Sequence, residues 1–272
     1  MKWEDTGRSK NIEDRRGQRG PGRAAVPLGI GGVLIILALS ALTGTDLFSA
    51  LGITPTAGPA QAPPSQAQIQ AEEPRVEFVS FVLDDVQSFW TATFTASGLN
   101  YTDARLVLYR EAVESACGVA PASAGPFYCP EDQKVYLDLG FFDELSRRLG
   151  APGDFAEAYV IAHELGHHVQ NLLGTLAQAQ SRSQSVATEL QADCYAGVWA
   201  ASAEGRGIME EGDLQEGLTA ASSVGDDTLA KRAGRIPNQE TFTHGSSAQR
   251  TQWFSTGYDT GDPNACDTFS RN

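Results

Sequence analysis

The histidines of this chain are few and clustered, since three of the four lie at positions 163, 167 and 168. The first two belong to the motif His163-Glu164-Leu165-Gly166-His167, inside an apolar-periodic stretch that predicts a helix over about 155–173. Residues four apart lie on one face of a helix, so both imidazoles are expected to point the same way. The motif therefore fixes one helix of the fold and the direction of its functional face.

Two converging imidazole nitrogens can hold one zinc ion, and Glu164 places a carboxylate beside that ion. A carboxylate there can take a proton from a zinc-activated water, so Glu164 is the predicted general base. The alternative is a helix that carries two histidines without function. Gly166 costs about 1 kcal/mol relative to alanine inside a helix and indicates that another backbone comes close. His168 turns about 100° away from the metal face and is expected to be structural.

A second helix, predicted over about 185–203, carries Glu189 and Asp193 on one face. Catalytic zinc takes three protein ligands and keeps one position open, so Glu189 can complete a ligand set with His163 and His167. Asp193 can accept a hydrogen bond from the other ring nitrogen of a ligand histidine. A solvated acidic face is the alternative, and the apolar residues on the rest of this helix argue against it. HExxH followed by ExxxD on a separate helix is the gluzincin arrangement.

An uncharged, mostly apolar segment, residues 24–45, follows the basic residues 1–23. A helix of that length reaches roughly 33 Å, enough to cross a bilayer. The positive-inside rule then predicts a single-pass signal anchor in a bacterial cell membrane, with residues 1–23 in the cytoplasm and the catalytic domain outside. A cleaved signal peptide is the alternative, because Ala60-Gln61-Ala62 is similar to a cleavage site.

The rest of the chain is predicted to be a linker followed by one α+β domain. Residues 46–74 are rich in Pro, Ala and Gln and indicate the linker, so that 75–272 form the domain. Strands are predicted over 104–109 and 133–138, beside a helix over 77–96 and further helices from about 214 and 247. The strand over 133–138 precedes the metal-binding helix and is a candidate edge for an extended peptide substrate; an ordinary core strand is the alternative.

The number of cysteines bears on the cellular compartment of the protein, and its charge bears on the class of partner that it can bind. The chain has four cysteines, and an even number outside the cytoplasm indicates disulfides. The pairing nearest in sequence joins Cys117 to Cys129 and Cys194 to Cys266, but three connectivities are possible and buried free thiols are a further alternative. Residues 1–23 carry seven basic and four acidic side chains, so their net charge is +3. Because the whole chain has a net charge of −14, the remainder carries −17. An acidic body argues against nucleic acid as a partner.

Six stretches together carry a resemblance to a known family: Asn11–Gln18, Gly125–Tyr136, Ala162–Gln170, Glu189–Trp199, Thr243–Arg250 and Gly261–Cys266. With these stretches the chain resembles the bacterial neutral zinc metallopeptidase family, the YpfJ-like group. The resemblance implies a single-pass membrane protein with a zincin-like domain that acts on a peptide or protein substrate. It also implies zinc ligands at His163, His167 and Glu189 and the base at Glu164.

His244 is the histidine outside the metal motif, in a loop-like stretch before a predicted helix, and is a candidate donor to a developing oxyanion. Tyr195 is the competing candidate, Tyr258 and Arg250 are weaker ones, and a surface or capping role for His244 is the alternative. The predicted function is that of a membrane-anchored zinc-dependent endopeptidase. A non-catalytic, zinc-containing, membrane-tethered binding or scaffold protein is the other interpretation, and the intact Glu164 argues against it.

Overall fold

The structure is a computed structural model that describes residues 1–5, 7–18, 65–176 and 181–270. The predicted membrane-spanning residues 24–45, and residues 46–64 of the predicted linker, lie outside this described part. Among the described residues, no helix is both long and apolar enough to cross a bilayer.

The described chain mixes short strands with longer helices, as the α+β prediction expects. In chain order its elements are β1 (Ile12–Asp14), α1 (Gln66–Ala71), α2 (Glu73–Ala96), β2 (Arg105–Tyr109), β3 (Ala112–Ser115), β4 (Gly118–Pro121), β5 (Phe127–Cys129), β6 (Lys134–Asp138), α3 (Gly140–Arg147), α4 (Asp154–Leu172), α5 (Arg182–Gly205), α6 (Asp213–Ser223), α7 (Asp226–Arg232) and α8 (Ser247–Thr260). The helices and strands that the sequence predicts within the described residues are present, and the small sheet beside several helices fits a zincin-like domain.

Four strands of the described chain form a sheet in the order β1-β2-β6-β5, in which β1, β2 and β6 are parallel and β5 is antiparallel to β6. Side chains alternate across it, so Val135 and Leu137 enter the main core with α2, α4 and α5, while Tyr136 packs on the other face under β3 and β4. Because β6 pairs on both sides, the prediction that residues 133–138 form the substrate-binding edge is wrong.

The N-terminal residues pack against this body, which the sequence did not predict. Strand β1 adds to β2 with Ile12 beside Leu106, and Arg16 is fully buried. Residues 65–74 also differ from the predicted linker, because Ser65 caps α1 and α2 begins at Glu73. The domain therefore starts at about residue 65 and includes residues 1–5 and 7–18, which were predicted to lie apart from it.

Helices α5 and α8 approach each other unusually closely, because glycines meet at their crossing. A Cβ atom on Gly257 would lie 1.9 Å from the carbonyl oxygen of Cys194, and one on Gly197 would lie 2.1 Å from that of Phe254. The disulfide between Cys194 and Cys266 then ties α5 to the chain that follows α8. A second disulfide joins Cys117 to Cys129, so the structure has the connectivity nearest in sequence.

Candidate metal centre

The two helices of the site, α4 and α5, cross where each carries its motif. A Cβ atom on Gly166 would lie 3.0 Å from the carbonyl oxygen and 3.1 Å from the Cα atom of Ala192. These distances are shorter than almost all real Cβ contacts, so an alanine at 166 would push the helices apart. The predicted close approach of another backbone to Gly166 is confirmed, and it is what brings the two motifs together.

Three predicted ligands converge at this crossing. Nε2 of His163 lies 3.3 Å from one carboxylate oxygen of Glu189, and Nε2 of His167 lies 3.5 Å from the other. The three ligand atoms lie within 4.8 Å of one another, so these side chains could hold one metal ion. Each side chain is mostly buried, with 8%, 12% and 19% of the side-chain surface of His163, His167 and Glu189 exposed.

The other nitrogen of His163 is held by a fully buried cluster of side chains. Its Nδ1 donates to Oδ1 of Asp193 at 2.9 Å, and the hydroxyl of Tyr159 donates to the same oxygen at 2.5 Å. Arg250 donates two parallel hydrogen bonds of 2.9 Å to Asp193, from Nε to Oδ2 and from Nη2 to Oδ1. Such a bidentate pair fixes the carboxylate, and Asp193 in turn fixes the imidazole of His163 with Nε2 free to bind a metal.

A separate chain of amides orients His167. Gln170 donates through Nε2 to the carbonyl of Thr188 at 2.7 Å and to Oε1 of Gln191 at 3.0 Å. Its Oε1 must then be the acceptor that faces Nδ1 of His167 at 2.9 Å, so Nδ1 carries the proton and Nε2 is free for a metal. Gln191 is itself held, because its Nε2 donates to the carbonyl of Cys266 at 2.9 Å.

We expect Gln170→Leu to weaken zinc binding by about 10–100-fold, the usual effect of losing a side chain that orients a ligand. The leucine fills the space but offers no acceptor to His167, so the ring can turn. Competition with a chelating indicator measures the affinity. Gln215→Leu on α6 is the matched control, since Gln215 is exposed and bonds only to Thr219 nearby. An affinity of Gln170→Leu equal to that of the control would contradict the orienting role.

The buried charges of the site shift one another's pKa values. Burial alone would raise the pKa of Glu189, but His167 and His163 hold it well below its usual range. Burial lowers the pKa of His163, yet Asp193 and Glu189 outweigh it and raise that pKa to about 9. A metal that binds Nε2 of His163 therefore displaces a proton at neutral pH. Glu164 is buried as well, with 7% of its surface exposed, and burial raises its pKa.

His168 is turned away from the metal side and is structural in this fold, as predicted. Its Nε2 donates to the carbonyl of Thr102 at 2.6 Å, and its Nδ1 accepts from the hydroxyl of Tyr128 on β5 at 2.9 Å. Burial lowers the pKa of His168, which favours the neutral ring. His168 thus fastens α4 to the sheet, and its neighbour His167 remains on the metal side.

His244 lies in a loop that packs against the turn of α5 that carries Glu189. The carbonyl of Thr243 accepts from Ser185 at 3.0 Å, and the Cβ position of Gly245 is 3.1 Å from Leu190. Asp226 at the start of α7 holds the imidazole, with Nδ1 of His244 at 3.1 Å from its Oδ1. About half of the His244 side chain, 51%, is exposed.

The competing donors are engaged elsewhere. Tyr195 is buried against Trp90 of α2 with ring centroids 5.2 Å apart, and burial raises its pKa to about 12. Tyr258 bonds to Glu204. Arg250 is committed to Asp193.

Sequence reasoning predicted Asp193 as the partner of a ligand histidine, as the structure shows for His163, but it missed the other side chains that hold the ligands in place. Tyr159 is four residues before His163 and Gln170 is three residues after His167, so helical spacing could have found both. Gln191 and Arg250 offered no comparable local signal, because their partners come from other helices.

Comparison with known proteins agrees with this geometry. The profile of the family described as "Putative neutral zinc metallopeptidase" matches residues 1–269. The uncharacterized protein YpfJ of Escherichia coli K12 is 41% identical over 291 residues, which cover 100% of this chain and 99% of that protein. The uncharacterized proteins Rv2575 of Mycobacterium tuberculosis H37Rv and Mb2605 of Mycobacterium bovis are each 50% identical over 186 residues, 62% of this chain and 64% of theirs. No solved structure matches the chain.

Proposed function

We propose, for a chain that belongs to the neutral zinc metallopeptidase family, that it is an endopeptidase that hydrolyses peptide bonds in a peptide or protein substrate. The observation that carries this proposal is the convergence of His163, His167 and Glu189, all of which interact electrostatically with the buried carboxyl of Glu164. We further propose that residues 24–45 hold the protein at a bacterial cell membrane, without setting the side on which residues 1–18 lie, and that the catalytic domain lies outside the cytoplasm. The two disulfides support that location, because disulfides persist in oxidising compartments.

The side chains fit zinc, the metal that the family implies. Two imidazole nitrogens and one carboxylate oxygen are a donor set of catalytic zinc sites, which keep a further position open for water or substrate. Both histidines have their Nδ1 atoms engaged, by Asp193 and by Gln170, so their Nε2 atoms are available. Zinc bound there supplies a Lewis acid that polarises the scissile carbonyl and lowers the pKa of the attacking water.

Glu164 is the residue that we assign to proton transfer. It adjoins the ligand His163 on α4, and burial raises the pKa of its carboxyl, which makes the carboxylate a stronger base. As general base it removes a proton from the attacking water, and as general acid it delivers that proton to the leaving amine. Arg250, Tyr159 and Asp193 do not move protons in this scheme; they hold the ring of His163.

His244 is the candidate donor to the oxyanion that forms on the substrate carbonyl. Its loop packs against Val186 and Leu190 on either side of Glu189, and half of its side chain faces solvent. The Asp226 carboxylate accepts from Nδ1, so Nε2 can donate to an oxyanion only when the ring is protonated on both nitrogens. A preorganised donor of this kind stabilises the charge that develops in the transition state.

We expect His244→Ala to lower kcat by about 10²–10³-fold with zinc content unchanged, the usual scale for losing one oxyanion donor. The loop should survive the change, because Oδ2 of Asp226 accepts from the backbone nitrogens of Thr243 and His244 at 2.7 Å each. Steady-state kinetics and metal analysis on the same sample make the measurement. An unchanged kcat would remove His244 from the mechanism.

A digest of a broad peptide library tests the proposed activity and separates it from the scaffold alternative. The full chain is incubated with the library alone, with a chelator, and with the chelator followed by zinc. We expect new peptide termini that disappear with chelator and return with zinc. Zinc bound at one equivalent together with the absence of any chelator-sensitive cleavage would favour the binding or scaffold protein instead.

A further inference from the structure

The N-terminal residues are part of the sheet that supports the metal centre. Residues 1–5 and 7–18, called here the docked segment, contribute strand β1, which pairs in parallel with β2 from Ile12 beside Leu106 to Asp14 beside Leu108. Further backbone bonds extend this pairing at both ends, from the nitrogen of Leu106 to Asn11 at 2.9 Å and from that of Arg15 to Leu108 at 2.7 Å.

Arg16 makes this docking specific. Its side chain is fully buried, with 0% of its surface exposed, between the strand and the start of α2. It pairs with Asp14 at 2.8 Å, with Glu72 at 3.0 Å and with Glu73 at 2.7 Å, and it donates to the carbonyl of Ile69 at 3.3 Å. A buried guanidinium is tolerated only when its charge and its donors are satisfied. The acidic residues at the start of α2 satisfy Arg16, so they are complementary to the docked segment.

Other contacts of the docked segment reach along α2 and across the sheet. Trp3 packs edge-on against Phe78 with ring centroids 5.5 Å apart. The hydroxyl of Ser9 donates to Asp84 at 2.6 Å. On the sheet, Glu13 pairs with Lys134 of β6 at 2.8 Å. The segment therefore contacts α2 and β6 through both apolar and charged side chains, in addition to its backbone pairing with β2.

We propose that the docked segment and the domain of residues 65–270 fold as one body and lie on the same side of the membrane. The end of the docked segment lies close to the start of the domain, since the Cβ position of Gly17 is 3.4 Å from the side chain of Ile69 in α1. A single crossing by residues 24–45 would instead put roughly 30 Å of hydrocarbon between the two parts. Contacts of about 3 Å cannot form across that distance.

This arrangement excludes the single-pass topology that the positive-inside rule predicts for the chain. Docking between two copies of the chain does not restore the single-pass topology. In two copies inserted in the same orientation, both docked segments would lie on the side of the membrane opposite to both domains. The basic residues Arg8, Arg15 and Arg16, which that rule counts as a cytoplasmic signal, are instead paired with acidic side chains of the fold. The inference does not depend on whether the metal centre cleaves peptides.

Accessible cysteines in the full chain test the topology. Lys10→Cys reports on the docked segment and Ile236→Cys on the domain, since the Lys10 side chain is 83% exposed and Ile236 is 94% exposed. Each variant is treated with a membrane-impermeant maleimide in intact and in permeabilised cells, with the unsubstituted chain as background for the four native cysteines. We expect both positions to label under the same condition, whichever side that is. Labelling of one in intact cells and of the other only after permeabilisation would overturn the proposal.

Hydrogen exchange in the purified full chain tests the docking itself. We expect the peptide over residues 8–18 to be protected, and Arg16→Met to remove that protection while Arg15→Met, whose side chain pairs with Glu13 at the surface, retains it. Exchange of residues 8–18 in the unsubstituted chain at the rate of an unstructured peptide would also overturn the proposal.

Discussion

Replacing Glu164 with glutamine is expected to lower kcat for peptide hydrolysis by about 10²–10⁴-fold, while the zinc content remains that of the unsubstituted chain. Glutamine has nearly the same shape as glutamate but no basic carboxylate, so the proton of the attacking water has no acceptor. Glu164 is not among the three converging ligands, so the metal stays in place. Steady-state kinetics and metal analysis on one preparation measure both quantities.

Glu157→Gln is the matched control for this change. Glu157 lies two turns earlier on the same helix, α4, and burial raises the pKa of its carboxyl to about 7. Glu157 pairs with Arg75 at 3.4 Å rather than with the metal ligands, so we expect the kcat of Glu157→Gln to be near that of the unsubstituted chain. Comparable loss of kcat in both variants, or full turnover in Glu164→Gln, would mean that Glu164 is not the base.

Arg250→Met is expected to lower the free energy of unfolding by about 3–5 kcal/mol, because it breaks a buried ion pair and takes the guanidinium away from the carboxylate of Asp193. Both Arg250 and Asp193 are almost completely buried, with 4% and 0% of their surfaces exposed. Methionine keeps most of the side-chain volume, so lost packing contributes little. Urea unfolding of the metal-free protein measures the change without a contribution from bound zinc.

Arg206→Met is the matched control for this loss of stability. Arg206 also forms a two-bond pair, with Asp85, but 42% of its side chain is exposed. Arg206→Met should therefore cost about 1 kcal/mol or less, as surface ion pairs do. Equal losses of stability in the two variants would show that Arg250 acts through packing or surface charge and not through the buried carboxylate.

The sequence was most informative where the chemistry repeats with helical spacing. His163 and His167 are one turn apart, as are Glu189 and Asp193, so each pair could be assigned to a helix face before the structure was known. Gly166 indicated that another backbone comes close to the first helix, since a glycine inside a helix otherwise only costs stability. The structure confirms that close approach and shows that it comes from Ala192 of α5.

The start of α4 illustrates why helix boundaries were harder. The helix was predicted to begin at about residue 155, but Gly153 precedes the helix with a φ of 116° and Asp154 is its first residue. The backbone nitrogen of Phe155 donates to Glu216 of α6 at 3.0 Å, so a side chain from another helix satisfies this end. No local pattern could identify a partner sixty residues away.

Nonlocal contacts also explain why the N-terminal strand β1 was not predicted. β1 has three residues, Ile12-Glu13-Asp14, and shows neither the length nor the alternation that identifies a strand. Arg16 follows it and looks like a surface charge until its partners Glu72 and Glu73 are brought to it by α2. The same holds for Arg250, whose role is set by Asp193 on a different helix.

Zinc titration of the metal-free full chain tests the central claim most directly, because it ties cleavage to this one site. Activity on a library-derived peptide should rise in proportion to added zinc and level off at one equivalent per chain. Glu189→Ala, which removes one of the three converging ligands, should bind zinc more weakly and need excess metal. Full cleavage by the metal-free chain, or zinc binding at one equivalent that never produces cleavage, would contradict the account.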